Sequence, residues 1–459
     1  MEKNQIVTVK IEDMTENGEG IGKVDGYALF LKDAVIGDVV EAKVIKAKKS
    51  YGYARVMQVL EPSPFRVTPR CPVAGPCGGC QLQAMSYESQ LAFKEKKVRD
   101  HLVRIGGLKE PKVLPTLGME NPWEYRNKAQ FPVGRDKNGA VVTGFYAARS
   151  HRIVENSRCY LGGPVNEEVL GILKVWMKEN RVDPYDEEKG RGLVRHVLVR
   201  ESERTGQVMV CLVINGESLP AAESLVNCLR EVPGMTSISY NVNREQTNVI
   251  LGKKLIGLYG PLYIEDIIGE NRYRISPLAF YQVNKRQTEV LYRTALQYAG
   301  LTGDETVWDL YCGTGTISLF LARKAKMVYG VEIVPEAIEN ARENAKLNGI
   351  PNAEFFVGKA EEVLPEKYRE GHARADVIVV DPPRKGCDGE LLRTILAMKP
   401  ERVVYVSCDS ATLARDVKTL VDGGYEFVEA QPVDMFPMGV HVETVVLMSR
   451  IDKKGTEKV

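Results

Sequence analysis

The chain has 459 residues, of which 44% are hydrophobic and 27% charged, and its formal net charge is +1. This length predicts about two to four domains, and the composition is typical of a globular protein. The net charge argues against a globally basic nucleic-acid binder but allows local basic patches. No apolar run reaches the roughly eighteen residues of a membrane span, and the N-terminus lacks a signal-peptide core, so we expect a cytoplasmic protein.

Residues 1–61 predict a small all-β barrel. Short segments of strand type alternate with glycine turns in this region: Ile6–Ile11, Gly18–Gly22, Tyr27–Leu31, Asp38–Ile45 and Ala54–Leu60. Short strands at regular spacing are typical of such barrels. The run Pro62-Ser63-Pro64 then ends the unit.

A cysteine cluster follows the barrel. Three cysteines lie in Cys71-Pro-Val-Ala-Gly-Pro-Cys77-Gly-Gly-Cys80, and Cys159 is a candidate fourth ligand. Glycine and proline keep this backbone open, so several sulfurs can face one point. Four thiolates suit either zinc or an iron–sulfur cluster. Because zinc sites more often use two matched C-x2-C pairs, and no histidine is near, a [4Fe–4S] cluster is favoured over zinc.

Residues 62–284 predict a central α+β region. A helix is expected over 86–105, and two more over Asn166–Lys178 and Leu219–Glu231. The expected strands include Ala129–Val133, Leu193–Val199, Gln207–Val213 and Thr247–Leu251. Tyr125-Arg126-Asn127-Lys128 offers two cations beside an aromatic ring, a pattern that suits an RNA backbone and an unstacked base. An exposed loop is the alternative interpretation of these four residues.

Residues 285–459 change to regular β/α alternation, which predicts a doubly wound, Rossmann-like parallel sheet. Its first strand, Thr306–Leu310, contains Asp309 and passes into a turn with Gly313 and Gly315, and its second strand ends at Glu332. A carboxylate at that position is placed to bind ribose hydroxyls. Since the glycine spacing of dinucleotide binders is absent, a nucleoside such as S-adenosylmethionine is favoured. The polar tail Asp452–Val459 is expected to be disordered.

Three further positions near strand ends carry candidate chemistry. Asp381 opens a stiff Asp-Pro-Pro-Arg loop, and its carboxylate can accept hydrogen bonds from a ligand. Cys408 follows a strand of valines and is either an attacking thiolate or a buried cysteine that acts as a small hydrophobe. Glu443, two residues after His441, is a candidate general base, with a solvent-facing hairpin tip as the alternative.

In their order and spacing, these motifs resemble the TrmA-type RNA (uracil-5-)methyltransferases. The resemblance covers nearly the whole chain and includes Phe280-Tyr-Gln282-Val-Asn284, the Asp309 turn, Glu332, Asp381-Pro-Pro-Arg-Lys-Gly386, Val-Ser-Cys408 and His441-Val-Glu443. The barrel resembles a TRAM domain. The cysteine quartet resembles the four-iron site of family members that act on ribosomal RNA.

The resemblance implies a reaction and a set of roles. A methyl group would pass from S-adenosylmethionine to C5 of a uridine in 23S rRNA, with Cys408 forming a covalent adduct at C6 and Glu443 acting as the base. The target base would leave its stack to reach the thiolate. The cofactor contacts it implies are Gln282, Tyr311, Glu332 and Asp381. Nothing in the sequence indicates an oligomer, so a monomer is expected.

Two departures from the family pattern leave alternatives open. Asp409-Ser410 stands where the family usually has Asn-Pro, and Met438-Gly439 stands where it usually has Gln, His or Tyr followed by Thr or Ser. These departures bear on how the substrate is oriented and motivate a different class of function, a non-catalytic RNA-binding protein with a degenerate methyltransferase fold. A third hypothesis keeps the enzyme and changes the substrate to tRNA.

Overall fold

The computed structural model describes residues 1–156, 158–370 and 374–451. The predicted disordered tail 452–459 lies outside these residues. None of the helices in the described ranges has the length and apolarity needed to cross a membrane.

The N-terminal barrel is confirmed as a closed five-stranded barrel in the order β1-β2-β3-β5-β4. Alternate residues such as Leu29, Leu31 and Val40 point inward and are fully buried, as the period of two requires. The strands are β1 (Ile6–Met14), β2 (Gly20–Val24), β3 (Tyr27–Lys32), β4 (Val39–Ala47) and β5 (Tyr51–Glu61).

The central region is built on a seven-stranded sheet, with strand order β12-β11-β10-β9-β6-β7-β8. Helices α2 (Val165–Glu179) and α3 (Ala222–Leu229) cover one face through a shared apolar core. The strands are β6 (Lys128–Arg135), β7 (Val141–Tyr146), β8 (Ile153–Glu155), β9 (Val194–Glu201), β10 (Val208–Ile214), β11 (Met235–Val242) and β12 (Lys254–Tyr259).

One predicted strand of this region is wrong. Residues 247–251 form no strand, and the sheet instead gains β12 at Lys254–Tyr259. The side-chain amide of Asn243 donates to the carbonyls of Val249 and Ile250 at 2.7 and 2.9 Å. These side-chain contacts satisfy backbone groups that a strand would have paired with its neighbour.

The C-terminal region is a seven-stranded sheet in the order β17-β16-β15-β18-β19-β21-β20, parallel except for β21, which is antiparallel to both of its neighbours. Separate apolar clusters fill its two faces, so the doubly wound prediction is confirmed. Its strands are β15 (Thr306–Leu310), β16 (Met327–Glu332), β17 (Ala353–Val357), β18 (Val377–Val380), β19 (Arg402–Ser407), β20 (Tyr425–Val433) and β21 (Glu443–Arg450). Its helices are α4 (Lys285–Ala299), α5 (Thr316–Ala322), α6 (Pro335–Leu347), α7 (Ala360–Arg369), α8 (Gly389–Met398) and α9 (Ser410–Asp422).

Two elements that precede residue 285 pack on this C-terminal sheet. Helix α1 (Tyr87–Arg104) buries Val98 and Leu102 in the cluster that also contains residues of α8 and α9. The hairpin of β13 (Ile264–Ile268) and β14 (Asn271–Ile275) buries Tyr273 in the opposite cluster. The C-terminal region therefore shares part of its core with the central region.

Candidate active site

Four of the predicted residues lie together because of the sheet topology. Tyr311 follows β15, Glu332 ends β16, Asp381 follows β18 and Cys408 follows β19. Since these strands are parallel, their carboxyl ends meet at one edge of the sheet, where ligands bind in such folds.

Glu443 reaches the same edge from the opposite direction. It is the first residue of β21, which runs antiparallel to β19, and Thr444 pairs with Ser407. The residues next to this pair, Glu443 and Cys408, therefore both lie where the two strands meet the carboxyl edge. Sequence analysis placed Glu443 near the site, and the antiparallel strand is the physical reason that it lies there.

A cavity of about 1480 Å³ opens at this edge. Its wall contains every residue that the sequence predicted for catalysis or cofactor binding: Gln282, Tyr311, Glu332, Asp381, Cys408 and Glu443. The wall also includes His441 and Arg384, and Tyr125 and Arg126 from the central region.

The turn after β15 has an unusual backbone. Tyr311, Gly313 and Gly315 all have positive φ, at 67°, 55° and 78°. Glycine adopts this conformation freely, whereas a tyrosine there is strained, and such strain concentrates at functional sites. A side chain on Gly313 would meet no atom within 4 Å, so open space adjoins the turn.

Glu332 is held by this turn. Its carboxylate accepts hydrogen bonds from the backbone N–H groups of Gly313, at 3.2 Å, and Val334, at 3.0 Å. Ile333 and Val334 beside it are 55% and 46% exposed, and Phe280 across the cavity is 73% exposed. An oriented acid beside exposed apolar side chains fits the ribose and adenine of a nucleoside cofactor. Sequence analysis missed Ile333 and Val334, although they directly follow the predicted Glu332, and it named Phe280 only as part of the motif that ends at Asn284.

Two carboxyl groups near the cavity, those of Asp309 and Asp381, have raised pKa values. Asp309 is fully buried, its Oδ2 accepts from Ser318 Oγ at 2.5 Å, and its Oδ1 has no partner among the described residues. Burial raises the pKa of Asp309 to about 7. Burial, with the nearby charge of Asp309, raises the pKa of Asp381 to about 7 as well.

The predicted nucleophile and base influence each other electrostatically. Burial raises the pKa of Cys408 to about 11, and the charges of Glu443 and Asp381 add to this effect. Burial raises the pKa of Glu443 to about 8, and Asp381 contributes further. The cation of Arg384 opposes both shifts. Perturbed groups of this kind, gathered in a cleft, are typical of active sites.

The departure at Asp409-Ser410 has a structural explanation. Asp409 is the N-cap of α9, and its carboxylate accepts from the N–H groups of Ala411 and Thr412 at 3.0 and 3.1 Å. Ser410 is buried, and its hydroxyl lies 2.8 Å from Nδ1 of His101 on α1. Since Asp caps a helix about as well as Asn, Asp409 can replace the Asn of the family pattern at this cap, and Ser410 joins α9 to α1.

A loop at residues 434–439 forms one wall of the cavity through Phe436 and Pro437. The ammonium of Lys94 on α1 lies 2.5 Å from the carboxylate of Asp434, and both side chains are fully buried. Lys94 also donates to the carbonyl of Phe436 at 3.0 Å, and the Tyr87 hydroxyl donates to Asp434 at 2.8 Å. Sequence analysis missed this anchor, whose only sequence signal is a lysine on the apolar face of a helix.

The departure at Met438-Gly439 belongs to the same loop. Met438 has a φ of 68°, its N–H donates to the Gln90 side chain at 3.0 Å, and its carbonyl accepts from Gln81 and Leu82. Gln90 is fully buried on α1. The side-chain amide of Gln90 also lies 3.3 Å from the sulfur of Met438. The side chain and backbone of Met438 therefore hold the loop against α1 and the segment after the cysteine cluster.

The four predicted cluster cysteines lie close enough to affect one another. All four are free thiols. Burial raises the pKa of Cys80 to about 12, and the charges of Cys159, Cys77 and Cys71 raise it further. Within the described ranges, however, no group of three or more His, Cys, Asp or Glu side chains is arranged to hold a metal ion.

Comparison with known families identifies two parts of the chain. Residues 262–451 match the family model described as tRNA (uracil-5-)-methyltransferase. Residues 2–57 match the model of the TRAM domain, which coincides with the barrel.

Similar proteins match over almost their whole length. An uncharacterized RNA methyltransferase of Halalkalibacterium halodurans is 54% identical over 447 residues, which is 97% of either chain. One from Bacillus cereus is 50% identical over 454 residues, covering 99% of this chain and 98% of its own.

A solved structure has the same architecture. The tRNA (uracil-54, C5)-methyltransferase of Pyrococcus abyssi, in complex with S-adenosyl-L-homocysteine, superposes with a TM-score of 0.77 at 28% sequence identity. The match covers 96% of this chain and 100% of the Pyrococcus chain.

Proposed function

The chain belongs to the S-adenosylmethionine-dependent RNA (uracil-5-)methyltransferases, and we propose that it methylates C5 of a uridine in 23S rRNA through a covalent adduct with Cys408. One observation carries this proposal: a single cavity brings Cys408, Glu443 and Asp381 together with the strained turn and Glu332. A degenerate RNA-binding module has no need of this arrangement.

Cys408 is the proposed nucleophile. The C5 carbon of uracil is too electron-poor to attack a methyl donor, whereas addition of a thiolate at C6 converts the ring to an enolate whose C5 is nucleophilic. With a pKa of about 11, the thiol holds its proton in the resting enzyme and transfers it to solvent water before the sulfur attacks C6. Arg384 favours that loss, because a nearby cation stabilises the thiolate.

Glu443 is the proposed general base. Attack by C5 on the methyl group would break the bond from that methyl to the sulfonium sulfur and leave S-adenosylhomocysteine, so that C5 carries both a proton and a methyl group. Glu443 takes the proton, the C5–C6 double bond re-forms, and the bond between C6 and the Cys408 sulfur breaks. A carboxylate with a pKa of about 8 suits this role, since a base is most effective when its pKa is near the working pH.

Gln282, Tyr311, Glu332 and Asp381 are the proposed contacts to S-adenosylmethionine, which supplies an activated methyl group. Glu332 accepts from the ribose hydroxyls, and its orientation is already fixed by two backbone N–H groups. The strained Tyr311 turn leaves room for the nucleoside beside Gly313. Asp381 holds either the cofactor or the uracil ring.

We further propose that Cys71, Cys77, Cys80 and Cys159 hold a [4Fe–4S] cluster. The charges of Cys159, Cys77 and Cys71 act on Cys80, which supports a shared site for the four thiols. The spacing C-x5-C-x2-C contains no second C-x2-C pair and no histidine lies near the run, so an iron–sulfur cluster is favoured over zinc.

The cluster is tested by measuring the iron content and the visible absorption spectrum of the purified protein. Cys80→Ser is expected to lose both after anaerobic purification, whereas Cys228→Ser, at an exposed cysteine on α3, keeps them. Stoichiometric zinc in the wild type, or a Cys80→Ser variant that retains full iron, would contradict the proposal.

Transfer RNA is a second candidate substrate. The barrel and the cysteine quartet support ribosomal RNA, because they resemble the family members that act on 23S rRNA. The match to the full length of a Pyrococcus tRNA enzyme favours tRNA.

Both substrates are tested in one experiment. The wild type is incubated with labelled S-adenosylmethionine and either 23S rRNA or bulk tRNA, both from a strain that lacks this enzyme, and 5-methyluridine is mapped by mass spectrometry. We expect product in 23S rRNA, none with Cys408→Ala, and normal product with Cys228→Ala as the matched control. Product only in tRNA would support the second candidate. Equal product from Cys408→Ala and wild type would refute the nucleophile.

A further inference from the structure

Two cations face each other across neighbouring strands beside the active site. Lys128 on β6 and Arg200 on β9 are directly paired in the antiparallel register, so their side chains share one face of the sheet. Like charges placed directly opposite each other destabilise a sheet. Arg126, two residues before Lys128, lines the active-site cavity. Three positive groups thus lie close together at the border of the central sheet and the cavity.

The guanidinium of Arg200 is only partly satisfied by its surroundings. Only 1% of the residue is exposed, its Nη2 donates to the carbonyl of Ala279 at 3.3 Å, and Nε and Nη1 have no partner within the described parts of the chain. The nearby carboxylate of Asp266 is already occupied by the hydroxyls of Ser202, at 2.7 Å, and Tyr281, at 3.1 Å. The ring of Tyr281 lies 5.9 Å from the Arg200 Cζ, but no ion pair compensates the buried charge, and such a cation is costly to fold.

Two arginines lie near Lys128, and their charges act on its ammonium group. Among the described residues, no carboxylate lies within ion-pair distance of Lys128, Arg126 or Arg200. Burial lowers the pKa of Lys128 to about 8, and the charges of Arg200 and Arg126 lower it further. Lys128 is only partly buried, so an anion from solvent can reach it.

We propose that Arg126, Lys128 and Arg200 form a binding site for a phosphodiester group of the RNA, next to the target uridine. Arg126 and Lys128 contact the phosphate oxygens, and the buried Arg200 adds its charge from behind, where low dielectric strengthens it. Binding of the anion offsets the electrostatic repulsion among the three neighbouring cations. This inference rests on the proposed function, because it assumes that RNA enters the cavity beside Arg126.

The proposal predicts a dependence on pH. In the free enzyme Lys128 loses its proton as the pH rises through about 8. A bound phosphate raises the pKa of this lysine, so binding takes up a proton in that range. The affinity for RNA therefore falls as the pH rises from 7 to 8.5, and it falls less in Lys128→Arg, whose guanidinium stays charged.

The test measures RNA affinity against salt concentration for the wild type, Lys128→Met, Lys128→Arg and Lys326→Met. Lys326 is an exposed control just before β16, at the opposite edge of the sheet from the cavity. We expect Lys128→Met to bind RNA about tenfold more weakly and to lower the salt slope by about 1, as loss of one phosphate contact does. Lys326→Met is expected to match the wild type.

The outcomes separate this inference from the proposed function. Methylation by the wild type tests the function, whereas the salt slope and pH profile of the variants test the phosphate site. An unchanged slope in Lys128→Met, or an equal pH profile in Lys128→Arg and wild type, overturns the site even when methylation proceeds. A Lys128→Met variant that loses affinity for S-adenosylmethionine instead of RNA overturns it too. If the wild type binds no RNA, both proposals fail.

Discussion

The buried pair of Lys94 and Asp434 gives the sharpest prediction about the active-site loop. Lys94→Met removes a cation but leaves Asp434 fully buried, with the Tyr87 hydroxyl still donating to it. Removing one partner of a buried ion pair costs about 3–5 kcal/mol. Because the Tyr87 hydroxyl still donates a hydrogen bond to the buried Asp434 carboxylate, we expect a cost at the lower end of this range, about 3 kcal/mol. This stability is lost locally, where α1 holds the loop at residues 434–439.

Hydrogen exchange read by mass spectrometry measures this loss locally. A cost of about 3 kcal/mol corresponds to roughly a hundredfold faster exchange of amides in the loop, including that of Met438. Since Phe436 and Pro437 line the cavity, the rate of methyl transfer falls as well.

The control is Lys96→Met on the same helix. Lys96 is half-exposed and pairs with Asp13 and Asp100 at the surface, so its loss is expected to cost less than about 1 kcal/mol. If loop exchange in Lys94→Met stayed at the wild-type rate, or if Lys96→Met accelerated it equally, the anchoring role of the buried pair would be refuted.

Three further predictions concern stability, each measured by thermal unfolding. Folded Glu443 keeps its proton up to about pH 8, whereas an unfolded glutamate releases it near pH 4.3, so its contribution to stability is lost as pH rises through this window. Glu443→Gln should flatten that part of the pH profile. Asp409→Ala removes the α9 cap at a cost of about 1 kcal/mol, and Asp409→Asn restores most of it. Gly330→Ala places a methyl 2.5 Å from the Phe355 ring, for a loss of about 1–3 kcal/mol.

Sequence analysis located most of the site because of a property of parallel sheets. Glu332, Asp381 and Cys408 each adjoin the end of an apolar strand, and such ends meet at one edge whichever order the strands take. The helix and strand pattern was correct where apolar periodicity was strong, as in α1 and the barrel. It failed at residues 247–251, where the side chain of Asn243 takes up the backbone carbonyls.

By itself the sequence determined the barrel, the doubly wound sheet, the strand-end chemistry and the family, because apolar periodicity and motif spacing are local properties of the chain. Only the tertiary structure brought Lys94 to Asp434, across 340 residues, and placed Lys128 opposite Arg200. It also showed that Asp409 is a helix cap. Local patterns indicate which residues leave water, but the partner that each charged group meets depends on how distant segments pack.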